Sequence, residues 1–463
     1  MESEAERKTE ARNLSWEDRK LRELLTLAWP ITVSTLSYSI MTLVDTLLVG
    51  HLGPASLAGV GMGGTAAFAV LCFSFGLVRG IKTLVSQAVG AGRRDLVEAY
   101  RATALQAAVV LGVATVVAGQ LVVAPLMLHV SATREAGEAT KLYFWIRNLA
   151  APIWLVGVAL RETRYGEGDA RSPMAATIVG NVVNVALATL FVFVLGWGVA
   201  GAATATCIAQ TVETGVLWWM GRVYGWRAEG ATRQHFMELW RIGLPTAVQF
   251  MLEVGSFVLL AALISSLSET QMAAHQIALQ VCQFSFLPAY AVSEAAAVLA
   301  GQAVGARRQE LVLPVAYLCL RVAGAYTLVC SLVFVFCGRL IASGFTSDPT
   351  LLATAVRLLY VAAVFQTFDG ANIAARCILR GVGDVRFAAV VGVVTAWMMT
   401  PPLAWLLGWR AGLGAYGGWL GLCGECIIGA LVLWHRVATG RWRAVAEATR
   451  VGADEELVMV EGT

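Results

Sequence analysis

Residues 24–50, LLTLAWPITVSTLSYSIMTLVDTLLVG, form an apolar run whose only charge is the carboxylate of Asp45. This combination leaves few ways to fold. A helix of that length rises roughly 40 Å, enough to cross a hydrocarbon core with room to tilt. In lipid a single continuous segment satisfies its own backbone only as an α-helix. Pro30 removes one rung of the helix ladder and marks a place to bend. Keeping an Asp ionised near the bilayer centre costs at least about 2.5–3.5 kcal/mol on insertion scales. Asp45 is therefore expected to face a polar cavity, hold a cation or carry a proton.

The run is the first of about twelve, at 24–50, 57–89, 100–128, 142–160, 173–195, 198–223, 240–267, 273–304, 312–336, 351–378, 386–407 and 414–434. Across 463 residues the chain is 58% hydrophobic and 14% charged, against about 25% charged in soluble domains. The fold class is all-α and integral to a membrane. A net charge of +3, spread in short clusters, argues against nucleic acid as a partner. The charged N-terminal stretch lacks the apolar core and cleavage site of a secretory signal. Arg93, Arg94, Arg164, Arg171, Arg227, Arg233, Arg307, Arg308, Arg380, Arg386, Arg436, Arg441 and Arg443 fall on the side of the N-terminus. The opposite loops carry little more than Arg134, Lys141, Arg339 and Arg410. An even span count with this bias places both termini in the cytoplasm and the chain, multi-pass, in the inner membrane.

The chain is also a duplication. The spacing from Pro30 to Pro245 carries SQAVGAGRRD (Ser86 to Asp95) onto GQAVGARRQE (Gly301 to Glu310). It likewise carries Arg161, Gly166, Gly168, Asp169 and Arg171 onto Arg376, Gly381, Gly383, Asp384 and Arg386. One offset holding without gaps through five spans of each half marks an internal repeat. Six spans per repeat make the two halves parallel, related by a pseudo-twofold axis along the membrane normal, a plan shared by many secondary transporters. The expected organisation is a cytoplasmic tail 1–20, an N-lobe 21–223, a cytoplasmic linker 224–238, a C-lobe 239–437 and a cytoplasmic tail 438–463. Such a plan places a substrate cavity between bundles that rock about it.

These motifs, with V-D-T-x-x-V-G at Val44 to Gly50, A-A-H-Q-I-A at Ala273 to Ala278 and Q-T-F-D-G at Gln366 to Gly370, resemble those of the multidrug and toxic compound extrusion (MATE) transporters over essentially the whole chain. The resemblance implies export of organic cations and other amphipathic compounds in exchange for H⁺ or Na⁺, from a V that opens outward between two six-helix lobes. It also implies roles for particular residues. Asp45 matches the acid of the first helix, with Asn184 and Thr204 as its polar partners. Glu253 and Asp369 match the paired C-lobe acids of the NorM-like branch. Ala188 stands where archaeal DinF-like members carry a second Asp, and Gly180 where some members carry an Asn.

Read without the resemblance, Glu253 and Asp369 are intramembrane acids with apolar helix on both sides, which is a functional pattern in itself. Phe257, Phe284, Phe286 and Phe365, with Gln366, are candidates to line a cavity and hold flat cations by stacking and cation–π contact. His275, Glu213 and Glu425 read first as hydrogen-bonded structural groups. Cys423 and Cys426 form the one C-x-x-C; with no further ligands beside it the reading is two buried small residues and no metal. Arg79 and Lys82 are two cations deep in one span. Either they reach the interface by snorkelling, or Arg79 meets Glu294, its repeat equivalent, as an inter-lobe pair. No cofactor is expected beyond the coupling ion, and no obligate protein partner. With neither H-E-x-x-H nor G-x-S-x-G present, an intramembrane enzyme is disfavoured. The reading is a cation-coupled secondary transporter of small amphipathic compounds. The alternative is a lipid-linked saccharide flippase of the same superfamily, for which Arg79 and Lys82 would supply charge toward phosphate.

Overall fold

The computed structural model of the chain describes residues 12–130, 133–223 and 227–451, the side chains of 54, 55 and 128–130 excepted. The beginning of the 1–20 tail, the first three residues of the 224–238 linker and the end of the 438–463 tail lie outside the described residues. The first half of the chain forms α1 (Lys20–Gly50), α2 (Pro54–Val78), α3 (Gly80–Ala91), α4 (Arg94–Ala118), α5 (Ala124–Val130), α6 (Arg134–Leu149), α7 (Ala151–Glu167), α8 (Arg171–Thr189) and α9 (Gly198–Val223). The second half forms α10 (Arg233–Ser265), α11 (Glu269–Gly305), α12 (Val312–Ser343), α13 (Pro349–Gly381), α14 (Val385–Leu403), α15 (Ala415–Ala438) and the short α16 (Arg443–Ala448). Among the described residues there is no strand.

Among the described residues, ten helical segments are long and apolar enough to cross a membrane, so the chain is a multi-pass membrane protein. Two of the expected spans are different in kind. The fourth is a pair, α6 and α7, bent by 51°. Pro152 explains the bend, because it has no N–H to give and its ring crowds the carbonyl of Asn148. The sixth, α9, is long enough but falls short in hydropathy, since Gln210 and Glu213 stand among small residues and threonines. Span two is interrupted at Arg79, where α2 gives way to α3. Helix α10 begins at Arg233, so the last part of the expected linker is already helical.

The chain folds as two units. One takes the residues up to Thr32, Ser86–Gly92 and those from Val248 onward; the other takes Val33–Val85 and Arg93–Ala247. The division does not follow the midpoint of the sequence. Both α1 and α10 change unit just past their internal prolines, Pro30 and Pro245.

Within the unit that holds Val248 onward, the two Q-A-V-G-A boxes pack on each other. A Cβ on Gly90 would overlap the Gln302 carbonyl, and one on Gly305 would overlap that of Gln87. Glycine is required there because the backbones approach so closely. The terminal segments close over the same spot. Trp16 donates its indole N–H to Gln302 Oε1 at 2.8 Å, and the Val451 N–H donates to Gln87 Oε1 at 3.2 Å.

The G-x-G-D boxes are also explained by helix ends. Gly168 and Gly383 adopt φ of 88° and 92°, the left-handed conformation that stops a helix. Asp169 then accepts the N–H groups of Arg171 and Ser172 at 3.1 and 3.0 Å to start α8 and pairs with Arg164 at 3.2 Å. In the second half Asp384 pairs with Arg436 at 2.8 Å.

Candidate functional site

Each unit holds its own polar cluster inside apolar helices. In the unit that holds Val33–Val85, the centre is Asp45, buried on α1. Helix α9 places Ala202, Thr206 and Gln210 four residues apart and therefore on one face. Thr206 Oγ1 lies 3.1 Å from Asp45 Oδ2 and 2.9 Å from the Ala202 carbonyl. Its single hydrogen serves only one of them at a time. Asn184 on α8 donates from Nδ2 to Thr206 Oγ1 at 3.2 Å. One turn along α9, Gln210 Oε1 accepts from Arg147 Nη1 at 3.0 Å. Buried Asp45 Oδ1, Asn184 Oδ1 and Gln210 Nε2 have no hydrogen-bond partner among the described residues.

This geometry corrects one expected residue. Thr204 is half-buried and sits about 200° round α9 from Thr206. Thr206 is the hydroxyl that meets Asp45, and Asn184 bonds that hydroxyl.

The same unit holds Arg79 and Lys82 beside an acid of their own half. Both are buried, 7% and 6% exposed, so neither reaches water by snorkelling. Glu162 of α7 lies 3.8 Å from Arg79 Nε and 3.6 Å from Lys82 Nζ. It is a counter-charge that the sequence reading did not name. Arg161 pairs with Glu213 at 3.5 Å, and Glu213 also accepts from Thr177 at 2.9 Å. Glu213 is therefore held structurally.

In the other unit, Glu253 on α10 is tied down. Its Oε1 accepts from Arg376 Nη1 and from Gln249 Nε2, both at 2.8 Å. Gln249 Oε1 accepts from Arg380 at 2.9 Å, and Arg376 also reaches Asn372 Oδ1 at 3.3 Å. The spacing of 249 and 253 on α10, and of 372, 376 and 380 on α13, aligns two helix faces into this chain of bonds. Asp369, one turn before Asn372, accepts a weak bond from the Cys426 thiol at 3.6 Å. Glu425 accepts from Thr400 at 2.5 Å. Glu294 accepts from the Cys377 thiol at 3.3 Å.

The aromatic candidates separate. Phe365 stands edge-on to Trp419 at 5.7 Å and packs against the hydrophobic core. Phe286 stacks on Tyr290 at 5.6 Å. Phe284 is half-buried and Phe257 exposed. Gln366 is buried, and neither atom of its amide has a hydrogen-bond partner among the described residues. His275 accepts from the Trp419 indole at 3.1 Å through Nδ1, in keeping with a structural reading.

Comparison with known proteins places this arrangement. A relative from Pseudomonas syringae pv. tomato, named probable multidrug resistance protein NorM, is 29% identical over 439 residues, covering 90% of this chain and 94% of its own. Multidrug resistance protein NorM of Burkholderia vietnamiensis is 30% identical over 429 residues, covering 88% and 92%. A solved structure described as MATE in the bent conformation superposes with a TM-score of 0.85 at 21% identity, covering 95% of this chain and all of that one. It shows the shared all-α fold. The MatE family model matches twice, at residues 30–190 and 245–406, one match in each half of the duplication, and the chain belongs to the MatE family.

Proposed function

We propose that the chain is a secondary active antiporter that exports small amphipathic or cationic compounds in exchange for H⁺ or Na⁺, by alternating access of two lobes. The observation that carries the coupling is Asp45: a carboxylate buried in a membrane helix, held at one oxygen by Thr206 and without a hydrogen-bond partner at the other among the described residues. Such a group is costly unless it exchanges a proton or a cation. Asp369, which accepts a weak bond from a thiol, is the second candidate for exchange, whereas Glu253 is committed to Arg376. Relatives named as multidrug resistance proteins support the substrate class. The distribution of basic residues supports an inner-membrane protein with cytoplasmic termini.

The flippase alternative rested on Arg79 and Lys82, and Glu162 beside both of them takes up part of that charge. The test is transport of ethidium by the purified protein in liposomes, under a Na⁺ gradient and a pH gradient imposed separately, with a lipid-linked saccharide as competitor. One gradient should drive ethidium accumulation that the saccharide does not reduce. Equal movement with and without gradients would remove the coupling.

A further inference from the structure

The coupling reading leaves unused a basic residue close to Asp45. Arg147 stands in the last turn of α6, just before the 51° bend. A helix C-terminus attracts a cation, so a purely local role is available to it. Two observations point further. The first is the set of three buried polar atoms on Asp45, Asn184 and Gln210 that have no partner among the described residues. Asp45 and Asn184 both meet Thr206, Gln210 stands one turn along the same face of α9, and Arg147 donates to Gln210 while acting electrostatically on Asp45. The second is the repeat. The spacing that carries Pro30 to Pro245 carries Asp45 to Leu260 and Arg147 to Ala362. Both are fully buried members of one hydrophobic core. The acid and the base are replaced together by apolar residues.

We propose that Arg147 is a positioning residue that serves as the resident counter-charge of Asp45: its guanidinium turns to the free Oδ1 when the acid is empty, and rests on Gln210 when the acid holds its coupling ion. Thr206, which meets Asp45, and Gln210, which holds Arg147, stand one turn of α9 apart, a rise of about 5.4 Å. The side chain spans that distance by changing rotamer. An emptied Asp45 is then never left buried without compensation, which would otherwise hold the ion in place and stall release. This rests on the coupling reading above.

The test uses the full chain in detergent and in liposomes, with ethidium as the probe and Na⁺ or H⁺ titrated to displace it. Arg147→Gln should lower the half-displacing ion concentration by about tenfold or more and slow turnover. Gln210→Leu, which removes the resting place, should raise it by about tenfold, because the ion must now dislodge the guanidinium. In an Asp45→Asn background, neither change should shift ethidium affinity by more than about twofold. A role confined to the end of α6 moves stability but not these opposed shifts. Unchanged ion dependence in Gln210→Leu overturns the proposal even if Arg147→Gln does not fold. Shifts of the same sign in the two variants overturn it as well. A parent protein indifferent to both ions overturns the coupling reading itself, and the proposal with it. An ion-dependent parent with indifferent variants overturns the proposal alone.

Discussion

At repeat-equivalent positions, Arg161 and Arg376 each hold a carboxylate, but they do not hold the same one. Arg161 takes Glu213 from α9, the last span of its half, at 3.5 Å. Arg376 takes Glu253 from α10, the first span of its half, at 2.8 Å. Tyr38 occupies the place of Glu253 in the first half, and Leu260 occupies the place of Asp45 in the second. The duplication kept the base and let the acid move. The two units therefore differ in what their acids are free to do. The second-half first-span acid is consumed by an ion pair, whereas Asp45 keeps one oxygen without a hydrogen-bond partner among the described residues.

The largest expected effect is on the consumed acid. Glu253→Ala strands a mostly buried guanidinium and should destabilise the protein by about 3–5 kcal/mol, seen as a fall in the thermal unfolding midpoint in detergent. Glu213→Ala should lose less, about 1–2 kcal/mol, because its pair is longer and Thr177 shares the carboxylate. The reverse order of losses would break the comparison.

Thr206→Val removes a hydroxyl from the Asp45 carboxylate, a bond to a charged group worth about 1.5–3 kcal/mol. It should slow ion-driven export by about tenfold, while Thr204→Val stays within about twofold of the parent. Equal losses in the two would mean that the α9 face is wrongly read. The smallest effect sharpens the comparison at the paired boxes. Trp16→Phe loses one hydrogen bond to Gln302 and should lower stability by about 1 kcal/mol, with ion-driven export unchanged in liposomes.

Much of this was legible in the sequence, and for identifiable reasons. Long apolar runs and a gapless repeat specify helices and a duplicated plan, since in lipid nothing else satisfies the backbone. Asp45, Glu253 and Asp369 stood out because charge inside an apolar helix is rare. Their partners did not stand out. Thr206 and Thr204 are alike in a linear reading of α9, and only the rotation of the helix against α1 separates them. Glu162 lies among Arg161 and Arg164 near the end of α7, where it reads as part of a solvated cluster. Arg147 falls inside the expected span 142–160, and only the break between α6 and α7 puts it at a helix end beside Gln210.

The central claim is that Asp45 is the exchangeable acid that couples an ion gradient to export. The direct measurement is gradient-driven ethidium accumulation in liposomes by the parent and by Asp45→Asn, which keeps the shape of the side chain and removes its charge. The account predicts that the Asn variant purifies with an unfolding midpoint close to that of the parent and that its accumulation falls to the level seen without a gradient. An Asp45→Asn protein that accumulates ethidium as fast as the parent under the same gradient would contradict it.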